Sequence, residues 1–316
     1  MKMAKYPLLI ITGPTAVGKT ELSLKIAEKV RGEIISADSM QIYRFMDIGT
    51  AKASAEDRAR IKHHMIDIIN PDEKYSVAQY QKEVDRLIRE ISAKGSLPIL
   101  VGGTGLYIRA VVQGFLFPEM EVNYQLRAEL NEIARKHGSA YLHQKLAEID
   151  PDQARKIHPN DLRRIIRGIE IYKETGHNMT YYLEKQKNAP PRYNTLKIGL
   201  IRDREELYSR INARVDQMIE EGLVEEINNI IKDGYKMSAT ALQGLGYKEI
   251  IGYLKNEYSL EEAKEILKRN TRHYAKKQIT WFKAEKDIHW FNLTGLNTGE
   301  AYQEILCLIA NWKKDI

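Results

Sequence analysis

The run G-P-T-A-V-G-K-T, near the start of the chain, combines glycines with a lysine and a threonine at a spacing suited to binding phosphate. This run matches the pattern G-x-x-x-x-G-K-[ST], in which glycines let consecutive backbone N–H groups turn toward phosphate oxygens. Within it, the ammonium of Lys19 adds a positive charge and the hydroxyl of Thr20 can hold Mg²⁺. The alternative is a glycine-rich turn that binds nothing. We predict a loop that binds a diphosphate or a nucleotide, made of Gly13, Pro14, Thr15, Ala16, Val17, Gly18, Lys19 and Thr20.

The residues on either side of this loop predict the elements that position it. Leu8–Thr12 is an apolar run typical of a buried strand. After the loop, Leu22, Ile26, Ala27 and Val30 recur at near-helical spacing. The loop should therefore end at a helix N-terminus, where backbone N–H groups favour an anion. The pattern does not say which phosphate compound binds.

Composition bounds the class of protein. The chain has 316 residues, 43% of them hydrophobic and 29% charged, which suits one large domain and a smaller one. Its single cysteine, Cys307, excludes a disulfide framework and a cysteine-based zinc site. We see no signal peptide and no apolar run of membrane-spanning length, so we expect a cytoplasmic protein with no membrane partner. We also expect a monomer. The net charge of +6 is compatible with a polyanionic partner.

A carboxylate follows the second predicted strand, Glu33–Ala37. In an open parallel sheet, ligands collect at the carboxyl ends of the strands, so Asp38 should face the phosphate loop. An aspartate is equally typical of a helix N-cap, and the spacing alone does not choose between the two roles. Ser39 and Gln41 could hydrogen-bond a base or only the local backbone.

The end of the third predicted strand, Leu97–Val101, departs from an ordinary ATPase. Such enzymes place a metal-organising aspartate there, whereas this chain continues with G-G-T-G-L-Y. An Asn-Lys-x-Asp run, expected of a guanine-specific GTPase, is also absent. The second glycine-rich turn either brings Thr104 close to whatever the first loop holds or is simply a tight connection. His63 and His64 are adjacent and point different ways on a regular element, which favours a structural role over a metal site.

The pattern then changes to helices without strands until the sheet resumes at Leu196–Ile201. We predict an α/β core like that of the P-loop nucleoside-triphosphate hydrolases, with a parallel sheet and flanking helices, over residues 1–114 and 192–316. Residues 115–191 would be an all-helical insertion. Its basic side chains cluster around Asp161: Arg155, Lys156, His158, Arg163, Arg164 and Arg167. This cluster would suit a nucleic-acid backbone, a lid that clamps a nucleotide, or a solvated surface.

A long helix is predicted near the end of the chain, over Leu260–Phe282. Basic residues recur on it at every fourth position, and apolar residues form a second stripe. The helix can therefore pack on the core and still face an anion. The basic stripe is Lys268, Arg272 and Lys276, and the apolar stripe is Leu267, Tyr274 and Trp281.

Stretches spread over nearly the whole chain closely resemble one family, the tRNA dimethylallyltransferases of bacterial type. They are G-P-T-A-V-G-K-T (13–20), S-A-D-S-M-Q-I-Y (36–43), D-I-G-T-A-K (47–52), H-H-M-I-D-I (63–68), V-G-G-T-G-L-Y-I (101–108), I-H-P-N-D-L-R-R-I-I-R (157–167), L-G-Y-K-E (245–249) and T-R-H-Y-A-K-K-Q-I-T-W-F (271–282). The first is shared with many unrelated proteins, whereas the second together with the fifth is specific. Gly244 and the pair His273-Tyr274 depart from the family's pattern. The zinc finger of eukaryotic members is absent, as one cysteine requires.

The resemblance implies transfer of a dimethylallyl group from dimethylallyl diphosphate to the exocyclic amine of the adenosine 3′-adjacent to the anticodon, in tRNAs reading codons that begin with U. It implies that Lys19, Arg214 and Mg²⁺ at Thr20 neutralise the departing diphosphate. Asp38 would accept the proton of the amine. The insertion would grip the anticodon stem-loop. Residues matched to tRNA contacts are Asp38, Ser39, Met40, Gln41, Thr104, Arg127, Arg163, Arg164, Ile165, Ile166 and Arg167.

Two other classes of protein are compatible with the phosphate loop and the basic helices. One is a small-molecule or nucleotide kinase whose insertion is a lid, and the other is a nucleic-acid-binding NTPase without transferase activity. The missing aspartate after Val101 and the second glycine-rich turn count against both. The discriminating observation is whether the protein turns over ATP or consumes an allylic diphosphate only when tRNA is present.

Overall fold

The predicted strands lie side by side in one parallel sheet. A computed structural model of the protein describes residues 5–118, 120–187, 189–237, 239–295 and 298–314. Within these residues the strands are Tyr6–Thr12 (β1), Gly32–Ser36 (β2), His63–His64 (β3), Leu97–Gly102 (β4), Tyr193–Ile201 (β5) and Ile288–Asn292 (β6). Their order in the sheet is β3-β2-β4-β1-β5-β6. All the pairings are parallel, which confirms the predicted α/β class.

The central strand, β1, is apolar on both faces because helices cover the sheet on both sides. Leu9 and Ile11 belong to one buried cluster, which also includes residues of the helix after the phosphate loop. Leu8 and Ile10 point the other way, into a second cluster. Each strand end that carries a predicted site residue is therefore held from two sides.

The helices follow in chain order. In the first part of the chain they are Lys19–Val30 (α1), Ala55–Arg60 (α2), Val77–Ala93 (α3) and Gly105–Gln113 (α4). Next come Tyr124–His137 (α5), Ser139–Ile149 (α6), Pro151–Ala154 (α7), Leu162–Thr175 (α8) and Met179–Lys187 (α9). The last are Arg204–Glu220 (α10), Leu223–Lys232 (α11), Tyr247–Leu254 (α12), Leu260–Lys283 (α13) and Thr298–Lys314 (α14), with a short 3₁₀ helix at Ala241–Gln243.

Two long helices begin where a serine can cap them. The hydroxyl of Ser76 accepts the backbone N–H of Gln79, whose side chain accepts the N–H of Ser76 in return. Ser259 and Glu262 form the same reciprocal pair at the start of α13. Each pair satisfies two N–H groups that a helix start would otherwise leave unbonded, which sets where α3 and α13 begin.

The chain forms two compact units. One consists of the residues up to 112 together with those from 192 onward, and the other of residues 113–191. In the second unit, α5, α6 and α8 enclose an apolar cluster that includes Leu130, Leu142 and Ile165. Among the described residues, no helix is both long enough and apolar enough to span a membrane.

Candidate active site

A cavity of about 380 Å³ lies at the carboxyl ends of β1, β2 and β4. It collects most of the residues that the sequence predicted for chemistry on the sheet unit: Thr15, Ala16, Lys19, Thr20, Asp38, Ser39, Met40, Gln41 and Arg214. The other members of the phosphate loop, Gly13, Pro14, Val17 and Gly18, shape the turn without lining the cavity. Residues far apart in the chain therefore meet around one space.

The ammonium of Lys19 lies folded against its own loop. Its Nζ donates to the carbonyl oxygens of Gly13 at 3.0 Å and Pro14 at 2.7 Å. Burial and the nearby guanidinium of Arg214 lower the pKa of Lys19 to about 7, although the Asp38 carboxylate acts in the opposite direction. A bound anion would favour the charged form of this lysine.

Asp38 does not cap a helix, so that alternative is wrong. Residues 39–42 form turns, and the next helix is α2. The Oδ1 atom of Asp38 accepts the backbone N–H of Met40 at 2.9 Å, the bond of an Asx turn. Its other carboxylate oxygen takes no hydrogen bond from the described residues, and the side chain lines the cavity. Asp38 can therefore accept a proton or hold a cation there.

Arg214 reaches the cavity from α10. It forms no hydrogen bond or ion pair with the part of the chain that the structure describes. Burial lowers the pKa of this guanidinium, and the charges of Asp38 and Glu221 partly offset that effect. The cavity thus holds two cations, from Lys19 and Arg214, near one carboxylate.

The second glycine-rich turn packs directly against the end of β2. The hydroxyl of Thr104 accepts the backbone N–H of Ser39 at 3.1 Å, and the N–H of Thr104 donates to the carbonyl of Ala37 at 3.0 Å. Thr104 therefore lies next to the turn that begins at Asp38. The turn positions one site segment against another, which a simple strand-to-helix connection would not need to do.

Sequence reasoning missed two site residues on α13, Gln278 and Tyr274. The buried side chain of Gln278 accepts the N–H of Thr15 at 2.9 Å and donates to the carbonyl of Gly103 at 3.0 Å. A Cβ at position 103 would lie 2.1 Å from that amide nitrogen, so only glycine leaves room for the bridge. Gln278 thus ties the phosphate loop to the second glycine-rich turn.

The apolar stripe predicted on α13 includes Tyr274, and this prediction is wrong for its hydroxyl, which has polar partners. The side chain is 38% exposed, lines the cavity, and hydrogen-bonds to Thr104 and Gln278. Burial in the cavity and the charge of Asp38 raise the pKa of Tyr274, because both disfavour a phenolate. The i, i+4 spacing of two hydrogen-bonding side chains, Tyr274 and Gln278, was the available signal.

The basic stripe on α13 is only partly directed toward solvent. Lys268 pairs with Asp216 at 2.9 Å, and Arg272 donates to the side chain of Asn212 at 2.6 Å. Both contacts fasten α13 to α10. Of the predicted stripe, Lys276 is exposed, whereas Lys268 and Arg272 are half-buried.

Gln41 makes bonds on both sides of its carboxamide. Its oxygen accepts the hydroxyl of Ser36 at 2.7 Å, and its nitrogen donates to the carbonyls of Thr50 at 3.2 Å and Ala51 at 3.3 Å. Of the two roles left open by the sequence, the structure gives Gln41 contacts with the local backbone.

In the helical unit, the predicted tRNA contacts have different environments. Arg163 is exposed, and Arg164 lies 3.4 Å from Asp161 at the start of α8. Arg127 and Arg167 both pair with Glu170, whose side chain is fully buried. Burial raises the pKa of Glu170, but the hydrogen bonds from these two arginines outweigh it and hold that pKa below its ordinary value.

Two predicted contacts, Ile165 and Ile166, have buried side chains. They belong to the apolar cluster between α5, α6 and α8. Their contribution to any RNA contact is therefore to hold α8 in place, while Arg163 and Arg164, which precede them, are exposed.

Comparison with known proteins places these features in one group. A sequence model of the IPP transferase family matches residues 41–285. A tRNA dimethylallyltransferase of Halothermothrix orenii is 59% identical over 298 residues, covering 94% of this chain and 91% of that protein. The corresponding protein of Alkaliphilus oremlandii is 51% identical over 309 residues, with 98% of each chain covered.

Solved structures give the same result. The full-length tRNA isopentenylpyrophosphate transferase of Bacillus halodurans superimposes with a TM-score of 0.75 at 44% identity, covering 98% of both chains. A eukaryotic dimethylallyltransferase acting on tRNA has a TM-score of 0.79 at 29% identity, covering 92% of this chain and 74% of that one. From the family match, the full-length relatives and the shared fold together, we conclude that the chain belongs to the IPP transferase family.

Proposed function

We propose that this protein transfers a dimethylallyl group from dimethylallyl diphosphate to the exocyclic amine of the adenosine 3′-adjacent to the anticodon, in tRNAs reading codons that begin with U. Its relatives are named for dimethylallyl transfer to tRNA. The single observation that carries the proposal is that Lys19, Arg214 and Asp38 line one cavity. Two cations suit a diphosphate leaving group, and a carboxylate beside them suits an amine that must lose a proton.

The diphosphate would lie against the phosphate loop. Lys19 needs only to exchange its bonds with the carbonyls of Gly13 and Pro14 for bonds with phosphate oxygens. Arg214, which the described residues leave without a hydrogen bond, would bind the same group from α10. As the carbon–oxygen bond breaks, negative charge builds up on the diphosphate, and fixed cations stabilise that charge in the transition state.

The residues at this end of the cavity also suit a magnesium ion. Thr20 is exposed at the start of α1 and offers a hydroxyl oxygen, the hard donor type that Mg²⁺ prefers. Mg²⁺ commonly takes few protein ligands and completes its shell with phosphate oxygens and water, so the lack of a cluster of three acidic or histidine side chains among the described residues does not count against it. When bound, the ion supplies further charge neutralisation to the diphosphate.

Asp38 would act on the amine that receives the dimethylallyl group. An adenine amine is a weak nucleophile because its lone pair is delocalised into the ring. As its nitrogen forms a bond to the allylic carbon and the diphosphate departs, one N–H proton must leave, and the carboxylate of Asp38 can accept it. To reach the cavity the base must leave its stack. Ser39 and Met40, which also line the cavity, would then contact the base.

The helical unit would supply the grip on the anticodon stem-loop. Arg163 and Arg164 are exposed on α8 and can bind RNA phosphates, whereas the side chains of Ile165 and Ile166 are buried. Arg127 and Arg167 are each about one-third exposed and could share their charge between Glu170 and RNA. We propose that the protein acts as a monomer in the cytoplasm.

The test is an assay of the purified protein with dimethylallyl diphosphate, Mg²⁺ and tRNA, each omitted in turn. We expect the allylic diphosphate to be consumed only when tRNA is present. Mass spectrometry should then find the added mass of one dimethylallyl group on the adenosine after the anticodon. A tRNA in which that nucleotide is guanosine is the matched control. Transfer of a phosphoryl group from ATP to a small molecule, with no allylic transfer, would instead make the protein a kinase. Its helical unit would then be a lid.

A further inference from the structure

One wall of the cavity is an irregular segment that needs support from elsewhere. Gly49, Thr50 and Ala51 line the cavity, and they belong to a turn-rich segment rather than a helix or strand. Ala51 has a backbone φ of +45°, a conformation that residues other than glycine rarely adopt. A segment of this kind keeps its shape only if its backbone is bonded to the surrounding structure.

A single carboxylate supplies much of that support. The backbone N–H groups of Asp47 and Ile48 donate to one oxygen of Glu226, on α11, at 2.8 and 2.7 Å. The N–H of Gly49 donates to the other oxygen at 3.3 Å, and so does the hydroxyl of Tyr247 at 2.7 Å. Four donors fill the acceptor capacity of one carboxylate. Hydrogen bonds to a charged group are also the stronger kind.

Tyr247 closes this support from the other side. Its buried ring packs on Gly49, where an added Cβ would lie 2.5 Å from a ring carbon. Burial and the charge of Glu226 raise the pKa of Tyr247 well above its ordinary value, so its hydroxyl remains a donor to Glu226. The segment is thus bonded to Glu226 and pressed against Tyr247 at the same point.

The other end of the segment connects to the reaction site. The carbonyls of Thr50 and Ala51 accept both bonds from the carboxamide of Gln41, which lines the same cavity three residues after Asp38. The phosphate loop forms none of these bonds. A loss of support at Glu226 should therefore disturb the side of the cavity formed by Asp38 and Gln41 more than the side formed by Lys19.

We propose that Glu226 is a positioning residue of the transferase. It acts through residues 47–51 and Gln41, without touching either substrate, to hold the wall against which the adenine is presented. This inference rests on the proposed function, because it assigns the Asp38 side of the cavity to the base. Glu226→Gln keeps the shape of the side chain but removes the charge and replaces one accepting oxygen with a donor.

The experiment measures kcat and KM for tRNA and for dimethylallyl diphosphate in the wild type and in Glu226→Gln, Glu226→Ala and Tyr247→Phe. Glu225→Gln, an exposed neighbour on α11, is the matched control. We expect Glu226→Gln to lower kcat/KM for tRNA by about tenfold, Tyr247→Phe to lower it less, and the KM for the diphosphate to stay within about twofold. Thermal unfolding of each variant checks that the folded fraction is unchanged at the assay temperature.

The outcomes separate this inference from the proposed function. If the wild type transfers no dimethylallyl group, the proposed function fails. If the wild type is active and folded Glu226→Gln matches the control in all constants, the positioning role is overturned. It is also overturned if both substrates lose affinity equally. Glu226→Ala is the more severe change, and a smaller loss in Glu226→Gln than in Glu226→Ala supports the role of the accepting oxygen.

Discussion

The cations of the cavity and the cations of helix α8 are used in opposite ways. In the cavity, Lys19 and Arg214 are partly buried and have lowered pKa values, and each lies near Asp38. On α8, Arg163 is exposed to solvent, and Arg167 pairs with the buried carboxylate of Glu170. The first arrangement suits one small anion held in one geometry, and the second suits a large polyanion met at a surface.

The difference shows where a charge affects the rate of the reaction and where it affects the attraction between protein and RNA. A fixed charge that water does not screen can stabilise a transition state. An exposed arginine gains little from any one ionic contact because water and salt screen it, and it contributes mainly through the release of counterions from RNA.

The largest effect is expected at Asp38. Asp38→Asn removes the proton acceptor but keeps an oxygen that can accept the N–H of Met40. We expect the single-turnover rate of transfer to fall by about a hundredfold or more, while the affinity for tRNA changes little. Single-turnover kinetics and thermal unfolding on the same variant provide the measurement. A variant that is less stable yet transfers at the wild-type rate would show that the carboxylate only stabilises the turn.

The second effect is expected in the stability of the helical unit, where Arg127 and Arg167 pair with a buried carboxylate and Arg163 does not. Glu170 is fully buried and accepts hydrogen bonds from Arg127 at 2.8 Å and from Arg167 at 2.7 Å. Replacing both arginines with alanine leaves a buried carboxylate without its counterions. We expect a loss of about 2 kcal/mol in the free energy of unfolding, discounted because both arginines are partly exposed.

The control for this loss is a third substitution. Adding Glu170→Gln to the double variant removes the unpaired charge and should restore part of the stability, as measured by urea unfolding. If the double variant is as stable as the wild type, Arg127 and Arg167 do not hold the helical unit together, and their charge would be available for RNA alone.

The sequence could predict those parts of the site whose functional residues all lie within one short segment. The phosphate loop is such a segment, because its glycines, Lys19 and Thr20 are all within eight residues of one another. The rule for parallel sheets places Asp38 at the correct strand end, and the structure excludes only its role as a helix cap, because no helix starts there. The parallel sheet and the helical insertion followed from the order of apolar patterns.

The parts that could not be predicted depend on contacts between distant segments. Gln278 bonds to Thr15 across 263 positions of sequence, and its i, i+4 spacing from Tyr274 does not indicate which distant segment it contacts. The strand β3 consists of His63 and His64, whose polar side chains carry no strand pattern, and it forms because their backbone pairs with Ile34 and Ile35 of β2. Arg214 came only from the resemblance to a family, since no spacing connects it with the loop.

A smaller effect concerns the pH dependence of anion binding in the cavity. The pKa of Lys19 in the folded protein, about 7, lies below its ordinary value of 10.5. Lys19 therefore loses its proton as the pH rises through 7, whereas the unfolded chain keeps it to near 10.5. Its burial costs stability at low pH, and this cost is relieved as the pH rises between those values. Binding of a diphosphate favours the charged form.

We therefore expect the affinity for inorganic diphosphate to fall above pH 7, by up to about tenfold per pH unit, through the loss of one proton from Lys19. Lys19→Arg is the matched variant, because a guanidinium stays charged throughout this range. The ratio of the two affinities, measured by calorimetry from pH 6 to pH 9 in steps of about half a unit, cancels the titration of diphosphate itself. A constant ratio would mean that Lys19 keeps its proton in the cavity.

The smallest effect is expected at Arg163, and it tests the exposed arrangement directly. Each arginine that contacts an RNA phosphate releases counterions, so the logarithm of affinity falls linearly with the logarithm of salt concentration. Removing one such contact should flatten that slope by roughly 0.7 to 0.9 unit. We expect Arg163→Ala to do this while the affinity for inorganic diphosphate stays unchanged. Lys173→Ala, an exposed cation at the other end of α8, is the matched control and should leave the slope as it is.

Binding of tRNA over a salt series, with diphosphate affinity measured in parallel, distinguishes the two possible uses of the helical unit. A lid arginine would touch a bound small molecule, so its loss would lower the affinity for that molecule. The salt dependence of RNA binding would stay unchanged. A tRNA grip gives the opposite pair of results. Equal flattening by Arg163→Ala and Lys173→Ala would make the whole helix a diffuse basic surface, and the contrast with the cavity would then be one of exposure alone, without a defined contact on α8.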